Sequence, residues 1–122
     1  TSSLLFYDKK EKIQLRINVN SKVNYKNEIT EDSWKNTTQM SRKCYLAENA
    51  PGSVSKNPTS GLNPKIEKMS YSLEESEMGY ENFCVIQCFV EKIEWLYLAA
   101  KGHRRLLIDF KNLKKKYSWI TP

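Results

Sequence analysis

Gln14 and Arg16 are the first residues along the chain whose types and spacing could do chemistry. They lie two positions apart in an alternating segment, so on a strand both side chains would point to one face. A glutamine amide donates and accepts hydrogen bonds, and a guanidinium offers a fixed fork of donors. The pair could bind the polar edge of a ring, and it also fits a strand face in contact with water.

Trp95 and two arginines form a second candidate group. Trp95 lies on one arm of a predicted hairpin, and Arg104 and Arg105 lie on the other. Side chains on paired strands lie within reach of one another, so an aromatic wall with cations would suit a flat, anionic, conjugated ligand. A core tryptophan beside a solvated basic edge is the other interpretation, and the residues leave both open.

Ser41 and Arg42 form a third and weaker candidate group, together with Gly52 and Ser53 in the following loop. Hydroxyls, backbone N–H groups and an arginine are good partners for phosphate or for the hydroxyls of a sugar alcohol.

Several catalytic classes are disfavoured by what the chain contains. His103 is the only histidine, and it lies beside two arginines in a predicted turn, a poor setting for a nucleophile–base pair. The four glycines form no phosphate-binding loop. The sequence therefore assigns no catalytic residue.

The three cysteines, Cys44, Cys84 and Cys88, predict neither a disulfide scaffold nor a metal site. Their odd number fits a reducing cytoplasm, and no second Cys or His pair could complete a tetrahedral zinc site. Free cysteines are usually buried, so we expect buried structural cysteines.

Length and charge set the broad class. A chain of 122 residues predicts one domain over residues 1–122, and the net charge of +6 favours an anionic partner. The apolar runs are too short to span a bilayer, so no membrane segment is predicted. Thr1 is not an initiator methionine, which suggests processing or a fragment.

Patterning predicts an antiparallel, mostly β protein with six strands and one or two helices. One helix is predicted from an N-cap at Thr30 to about Met40, and residues 41–80 are predicted to be largely irregular. The predicted strands cover residues 3–7, 13–25, 82–90, 92–99, 104–110 and 117–120.

Four segments in order resemble the pyridoxamine 5′-phosphate oxidase-like FMN-binding proteins. They are LLFYDKKEKIQLRI (4–17), SRKCYLAENAPGS (41–53), EWLYLAAKGHRRLLIDF (94–110) and WITP (119–122). The resemblance covers most of the chain except residues 54–80. It implies an antiparallel split β-barrel of about six strands with flanking helices, acting as a homodimer with FMN between the subunits.

The resemblance also implies roles for residues. Gln14 and Arg16 match a Gln-x-Arg strand that lies against the flavin, and the segment after the helix supplies polar contacts, matching Ser41 and Arg42. Trp95 matches an aromatic contact of the last hairpin. Its arginine partner is Arg104 or Arg105, and we favour Arg105.

Two departures limit the analogy. The chain starts after the family's first strands, which carry part of the FMN phosphate site. It also lacks the Arg-x-His pattern of the true oxidases, since His103 precedes the arginines. We therefore expect an FMN-dependent oxidoreductase of the same fold with a different, unknown substrate.

Two alternatives belong to other classes. One is a basic β-barrel that binds single-stranded nucleic acid. Its surface would combine aromatic and basic residues near the end of the chain, namely Lys111, Lys114, Lys115, Lys116, Tyr117 and Trp119. The other is a non-catalytic dimer domain that has lost its cofactor. Surface lysines are ordinary in soluble proteins, so nucleic acid is the less favoured partner.

Overall fold

The computed structural model describes residues 1–111 and 114–122. Asn112 and Leu113, which lie between the lysines of the alternative nucleic-acid surface, are outside the described residues. The chain divides into two compact units. Unit 1 comprises Thr1–Lys22 and Ile86–Pro122, and unit 2 comprises Val23–Val85. The assignment of residues 1–122 to one domain stays a prediction.

An antiparallel sheet dominates the fold, which confirms the predicted mostly β class. Within the described residues it has five strands in the order β1-β2-β3-β4-β5. β1 pairs antiparallel with β2, β3 with β4, and β4 with β5. The strands are β1 Ser2–Asp8, β2 Ile13–Asn24, β3 Val85–Tyr97, β4 Arg104–Asp109 and β5 Lys116–Ile120.

The prediction of two separate strands over residues 82–90 and 92–99 is wrong. One strand, β3, runs through this region for 13 residues. The polar pair Glu91 and Lys92 does not end it, because no Gly or Pro interrupts residues 85–97 and the backbone can stay extended. This continuity accounts for five strands where the patterning predicts six.

Alternation along β2 gives the unit 1 part of the sheet two different faces. Ile13, Leu15, Ile17 and Val19 point to one side, and Val19 is fully buried. We call this side the apolar face. The opposite side carries Gln14 and Arg16, and we call it the polar face.

Tight turns keep the strand pairs in register. In the β1–β2 turn, the Asp8 carboxylate accepts hydrogen bonds from the backbone N–H groups of Lys10 and Glu11. Residues 2–8 then pair in order with residues 19–13, so Tyr7 lies opposite Gln14 and Leu5 opposite Arg16. This register brings two apolar side chains of β1 to the edge of the polar face.

Short helices make up most of the regular secondary structure of unit 2. The three α-helices are α1 Glu28–Lys35, α2 Gln39–Arg42 and α3 Pro64–Glu67, and 3₁₀ helices cover Lys43–Leu46 and Glu75–Asn82. The predicted Thr30–Met40 helix is wrong at both ends. Asn27 is the N-cap: its side chain accepts from the Thr30 N–H, and the Thr30 hydroxyl accepts from the Asn27 N–H. This reciprocal capping box starts the helix earlier and leaves Thr30 buried.

An aromatic cluster forms the core of unit 2. Trp34 packs against Phe83, Tyr80 and Tyr45 with ring-centroid distances of 5.1, 5.7 and 5.9 Å. Edge and tilted contacts of this kind stabilise a core beyond the burial of apolar area alone. The small helical turns of unit 2 are therefore held together mainly by side chains rather than by long backbone ladders.

The expectation of buried cysteines is wrong, since Cys44, Cys84 and Cys88 are all exposed. Free cysteines are usually buried, but the place of a residue in the fold decides its exposure here. Cys88, for example, lies in a stretch of β3 whose side chains are exposed from Cys88 to Glu91.

No helix within residues 1–111 and 114–122 has the length and apolar character that crossing a bilayer requires.

Candidate functional site

The polar face of unit 1 brings three of the six predicted site residues into one cavity. Gln14, Arg16 and Arg105 line it, and its volume is about 200 Å³. The remaining lining residues are Glu94, Leu96, His103 and Pro122. Residues from β2, β3 and β4 thus converge on a single polar concavity.

Strand alternation and pairing explain this convergence. Gln14 and Arg16 are two residues apart on β2, and Glu94 and Leu96 are two apart on β3, so each pair shares a face. Arg105 of β4 lies directly opposite Leu96 of β3. Arg105 therefore joins the polar face from the neighbouring strand.

Glu94 forms ion pairs with both Arg16 and Arg105, and it is absent from the site predicted from the sequence. Its Oε2 accepts a hydrogen bond from Arg105 Nη2 at 2.6 Å and lies 4.0 Å from Arg16 Nη1. The Glu94 side chain is only 22% exposed. Its place follows from the strand register: because Leu96 pairs with Arg105, Glu94 is a diagonal, oppositely charged neighbour of Arg105 on the same face.

His103 borders the cavity with one ring nitrogen already engaged. Its Nδ1 accepts a hydrogen bond from the Ala99 N–H at 3.1 Å. In the neutral ring the proton is then on Nε2, which makes that atom a donor. The histidine can donate to a ligand, but Nδ1 is occupied by the turn and is not available as a base.

Trp95 does not lie in this cavity, because it points to the apolar face. It stacks on Tyr97 at 6.2 Å and meets Trp119 edge-on at 6.3 Å. Arg104 lies opposite Tyr97 and shares that face. The pairing register therefore separates Trp95 from Arg105 and places Arg105, rather than Arg104, beside Gln14 and Arg16.

Ser41 and Arg42 belong to unit 2, where each nitrogen of the Arg42 guanidinium donates a hydrogen bond. Arg42 is 3% exposed and lies over the Trp34 ring at 4.4 Å. It donates to Thr37 Oγ1 at 2.7 Å, Ser76 Oγ at 3.1 Å, Glu77 Oε1 at 2.6 Å and the Trp34 carbonyl at 2.9 Å. A ligand would have to replace these bonds, so the arrangement is that of a structural arginine.

Ser41 also takes part in local structure. Its backbone N–H donates to Thr38 Oγ1 at 3.1 Å, and the two hydroxyl oxygens lie 2.9 Å apart. This is the N-cap of α2. The structure thus gives both Ser41 and Arg42 roles within unit 2.

The Glu77 carboxylate of unit 2 has a lowered pKa. The indole N–H of Trp34 donates to its Oε2 at 2.9 Å. This hydrogen bond, with a further contribution from Arg42, holds the pKa of Glu77 below its ordinary value of 4.5, although burial opposes the shift. The carboxylate is therefore kept ionised as the partner of Arg42.

Two solved structures have a fold similar to that of this chain. One is a pyridoxamine 5′-phosphate oxidase-related, FMN-binding protein from Nostoc punctiforme PCC 73102, with a TM-score of 0.73 and 15% sequence identity. Another is PhzG from Burkholderia lata 383, in complex with tetrahydrophenazine-1-carboxylic acid, with a TM-score of 0.59 and 12% identity. Both matches cover 98% of this chain, which spans 62% and 58% of the two proteins.

These matches show the fold. The predicted class, an antiparallel split β-barrel with flanking helices, is confirmed by them. No protein-family model matches the chain, and no curated protein matches its sequence.

Proposed function

We propose that this chain is part of an FMN-binding flavoprotein, an oxidoreductase whose substrate is unknown, and that Gln14, Arg16 and Arg105 hold one edge of the flavin. The observation that carries the proposal is their convergence from three strands on one cavity, in a fold shared with a protein described as FMN-binding.

The residues present fit the polar edge of a flavin ring. Such an edge alternates carbonyl acceptors with an N–H donor. The Gln14 amide can pair with both kinds of group, and Arg105 and Arg16 can donate to carbonyl oxygens. The two guanidinium groups exceed the Glu94 carboxylate by one positive charge, which suits a ligand that gains electron density.

FMN, when bound, supplies the redox chemistry, and the protein supplies orientation and electrostatics. Gln14 fixes the direction of the ring edge because its amide tolerates only one arrangement of donors and acceptors. Arg16 and Arg105 favour the reduced, more electron-rich state over the oxidised state. Glu94 holds Arg105 in place for this task.

The size of the cavity supports a site completed by a second copy. Pockets that enclose a whole ligand usually measure about 300–1,000 Å³, whereas this one measures about 200 Å³. A flavin ring would therefore be only partly covered by one copy of this chain. We propose a homodimer with the flavin at the interface.

Ser41, Arg42 and Trp95 remain predictions as flavin contacts. Ser41 and Arg42 make local hydrogen bonds within unit 2, and Trp95 lies on the apolar face.

The proposal is tested by titrating the purified chain with FMN and following the visible absorption and the quenching of flavin fluorescence. We expect saturable binding that weakens about 10- to 100-fold in Arg105→Gln, the loss of a hydrogen bond to a charged group. Arg104→Gln is the matched control, because it removes the same charge one residue away on the opposite face.

Two results would contradict the proposal. One is a wild-type chain that fails to bind FMN at any concentration up to the millimolar range. The other is an equal loss of affinity in both arginine variants, which would indicate a general charge effect rather than a site on the polar face.

A further inference from the structure

The Glu94 carboxylate occupies the positions at which an anion would bind to the two arginines of the polar face. It accepts from Arg105 Nη2 at 2.6 Å and lies 4.0 Å from Arg16 Nη1, using the same oxygen for both. Carboxylates and phosphates compete for the same guanidinium donors. A free anion that enters this cavity therefore competes with Glu94 for Arg105 and is repelled by the Glu94 charge.

Burial strengthens this competition. The Glu94 and Arg105 side chains are 22% and 31% exposed, so the pair is partly shielded from water. Glu94 is fixed to the backbone of β3 directly beside β4, which gives it a high effective concentration at Arg105. A dilute anion in solution has no such advantage.

We infer that Glu94 is the specificity-determining residue of this cavity: it excludes small free anions such as inorganic phosphate and leaves the site to an uncharged polar ring edge. Arg105 retains further N–H donors beyond the one used by Glu94, since a guanidinium carries five. Those donors and the Gln14 amide remain available to carbonyl and N–H groups of a ligand.

The identity of the favoured ligand rests on the proposed flavin function, whereas the exclusion of anions rests on the ion-pair geometry alone. The two parts therefore call for two probes. Inorganic phosphate reports on the exclusion of anions, and riboflavin reports on the ring edge because it carries no phosphate.

The first experiment is a phosphate titration of the full chain at low ionic strength, followed by NMR of the ¹⁵N-labelled arginine Nε–H groups. We expect no saturable shift of the Arg105 signal in wild type and saturable binding in Glu94→Gln, at least about tenfold tighter. The gain should disappear in the double variant Glu94→Gln/Arg105→Gln. Glu94→Asp, which keeps the charge, should resemble wild type more closely than Glu94→Gln does.

Glu91→Gln is the matched control. Glu91 is exposed, lies on β3 three residues earlier, and makes no ion pair among the described residues. It changes the net charge of the chain by the same amount as Glu94→Gln. The inference is overturned if wild type binds phosphate at Arg105, if Glu94→Gln gains nothing, or if Glu91→Gln gains as much.

The second experiment repeats the titration with riboflavin. We expect Glu94→Gln to bind riboflavin about tenfold more weakly while it binds phosphate more tightly, because Arg105 loses its fixed orientation. A variant that binds riboflavin more weakly and gains no phosphate binding would overturn a specificity role. Absence of riboflavin and FMN binding in wild type would instead reject the proposed function, and the phosphate result would still decide the role of Glu94.

Discussion

Arg104 and Arg105 are neighbours in the sequence with opposite surroundings. Arg104 lies on the apolar face and donates to the carbonyls of Gly102 and His103, whereas Arg105 pairs with Glu94 in the cavity. The period of a strand is two residues, so a shift of register by one would exchange them. The choice between them in the sequence analysis thus depended on a register that the pairing of β3 with β4 sets.

Arg42 shows how the surroundings of a residue determine its contacts. An arginine after a helix is a reasonable phosphate ligand, but this one is buried over Trp34 and bonded to Glu77. A buried guanidinium needs hydrogen-bond partners, because an unpaired buried charge is costly. Each of the three Arg42 nitrogens donates to a described residue.

Glu77 gives a prediction at the residue scale. Its folded pKa lies below the ordinary 4.5, so its ion pair stabilises the fold above that pH and is lost as the pH falls through the folded pKa. Glu77→Gln should therefore be less stable than wild type near neutral pH, by at most about 1 kcal/mol since more than half of the side chain is exposed. The difference should shrink as the pH is lowered.

Urea unfolding followed by tryptophan fluorescence at several pH values measures this effect. Glu74→Gln is a suitable control, because Glu74 is exposed and makes no ion pair among the described residues. A gap between wild type and Glu77→Gln that stays constant down to the lowest pH would show that the charge of Glu77 does not stabilise unit 2.

At the scale of elements, the 3₁₀ helix Glu75–Asn82 packs tightly against Lys43–Leu46. A Cβ on Gly79 would lie 3.1 Å from Tyr45 Cβ and 3.2 Å from Trp34 Cη2. Tyr45 Cβ is attached directly to the backbone and cannot yield by a rotamer change alone. Gly79 is thus required by close approach rather than by its own backbone conformation.

We expect Gly79→Ala to destabilise the protein by about 1–3 kcal/mol, the usual cost of overpacking, and Gly79→Asn to cost more. Gly52 provides the contrast. Its φ is +83° and a Cβ there would meet no atom within 4 Å, so asparagine should be tolerated better than alanine. Urea midpoints of the four variants measure this opposite order. The same order of Ala and Asn at both glycines would contradict the packing argument.

At the scale of the whole molecule, unit 1 leaves large apolar side chains exposed. Leu5 and Tyr7 are 64% and 56% exposed, and the pairing of β1 with β2 brings both to the edge of the polar face. Exposed apolar surface of this kind is typical of protein interaction sites. It agrees with the proposed second copy, as does the small volume of the cavity.

If FMN binds between two copies, binding and dimerisation must be coupled reciprocally. We expect sedimentation velocity to show a larger dimer fraction with FMN than without it, with a matching rise in FMN affinity at higher protein concentration. Arg105→Gln should lose this ligand effect, and Arg104→Gln should retain it. A chain that binds FMN as a monomer at all concentrations would contradict the shared site while leaving flavin binding intact.

The sequence by itself determined the mostly β class, most strand positions and the pairing of Gln14 with Arg16 on one face. These features follow from local periodicity and from turn residues, which act over a few positions. The resemblance carried by four ordered segments predicted the fold that the structural likenesses share.

Only the tertiary structure decided which of the predicted site residues lie together in one cavity. The register of β3 with β4 selected Arg105 over Arg104, introduced Glu94, and turned Trp95 to the other face. The packing of unit 2 gave Arg42 a structural role and moved the helix start to Asn27. These outcomes depend on strand pairing and on packing between residues far apart in the chain. Local sequence patterns do not specify which distant residues pair or pack together.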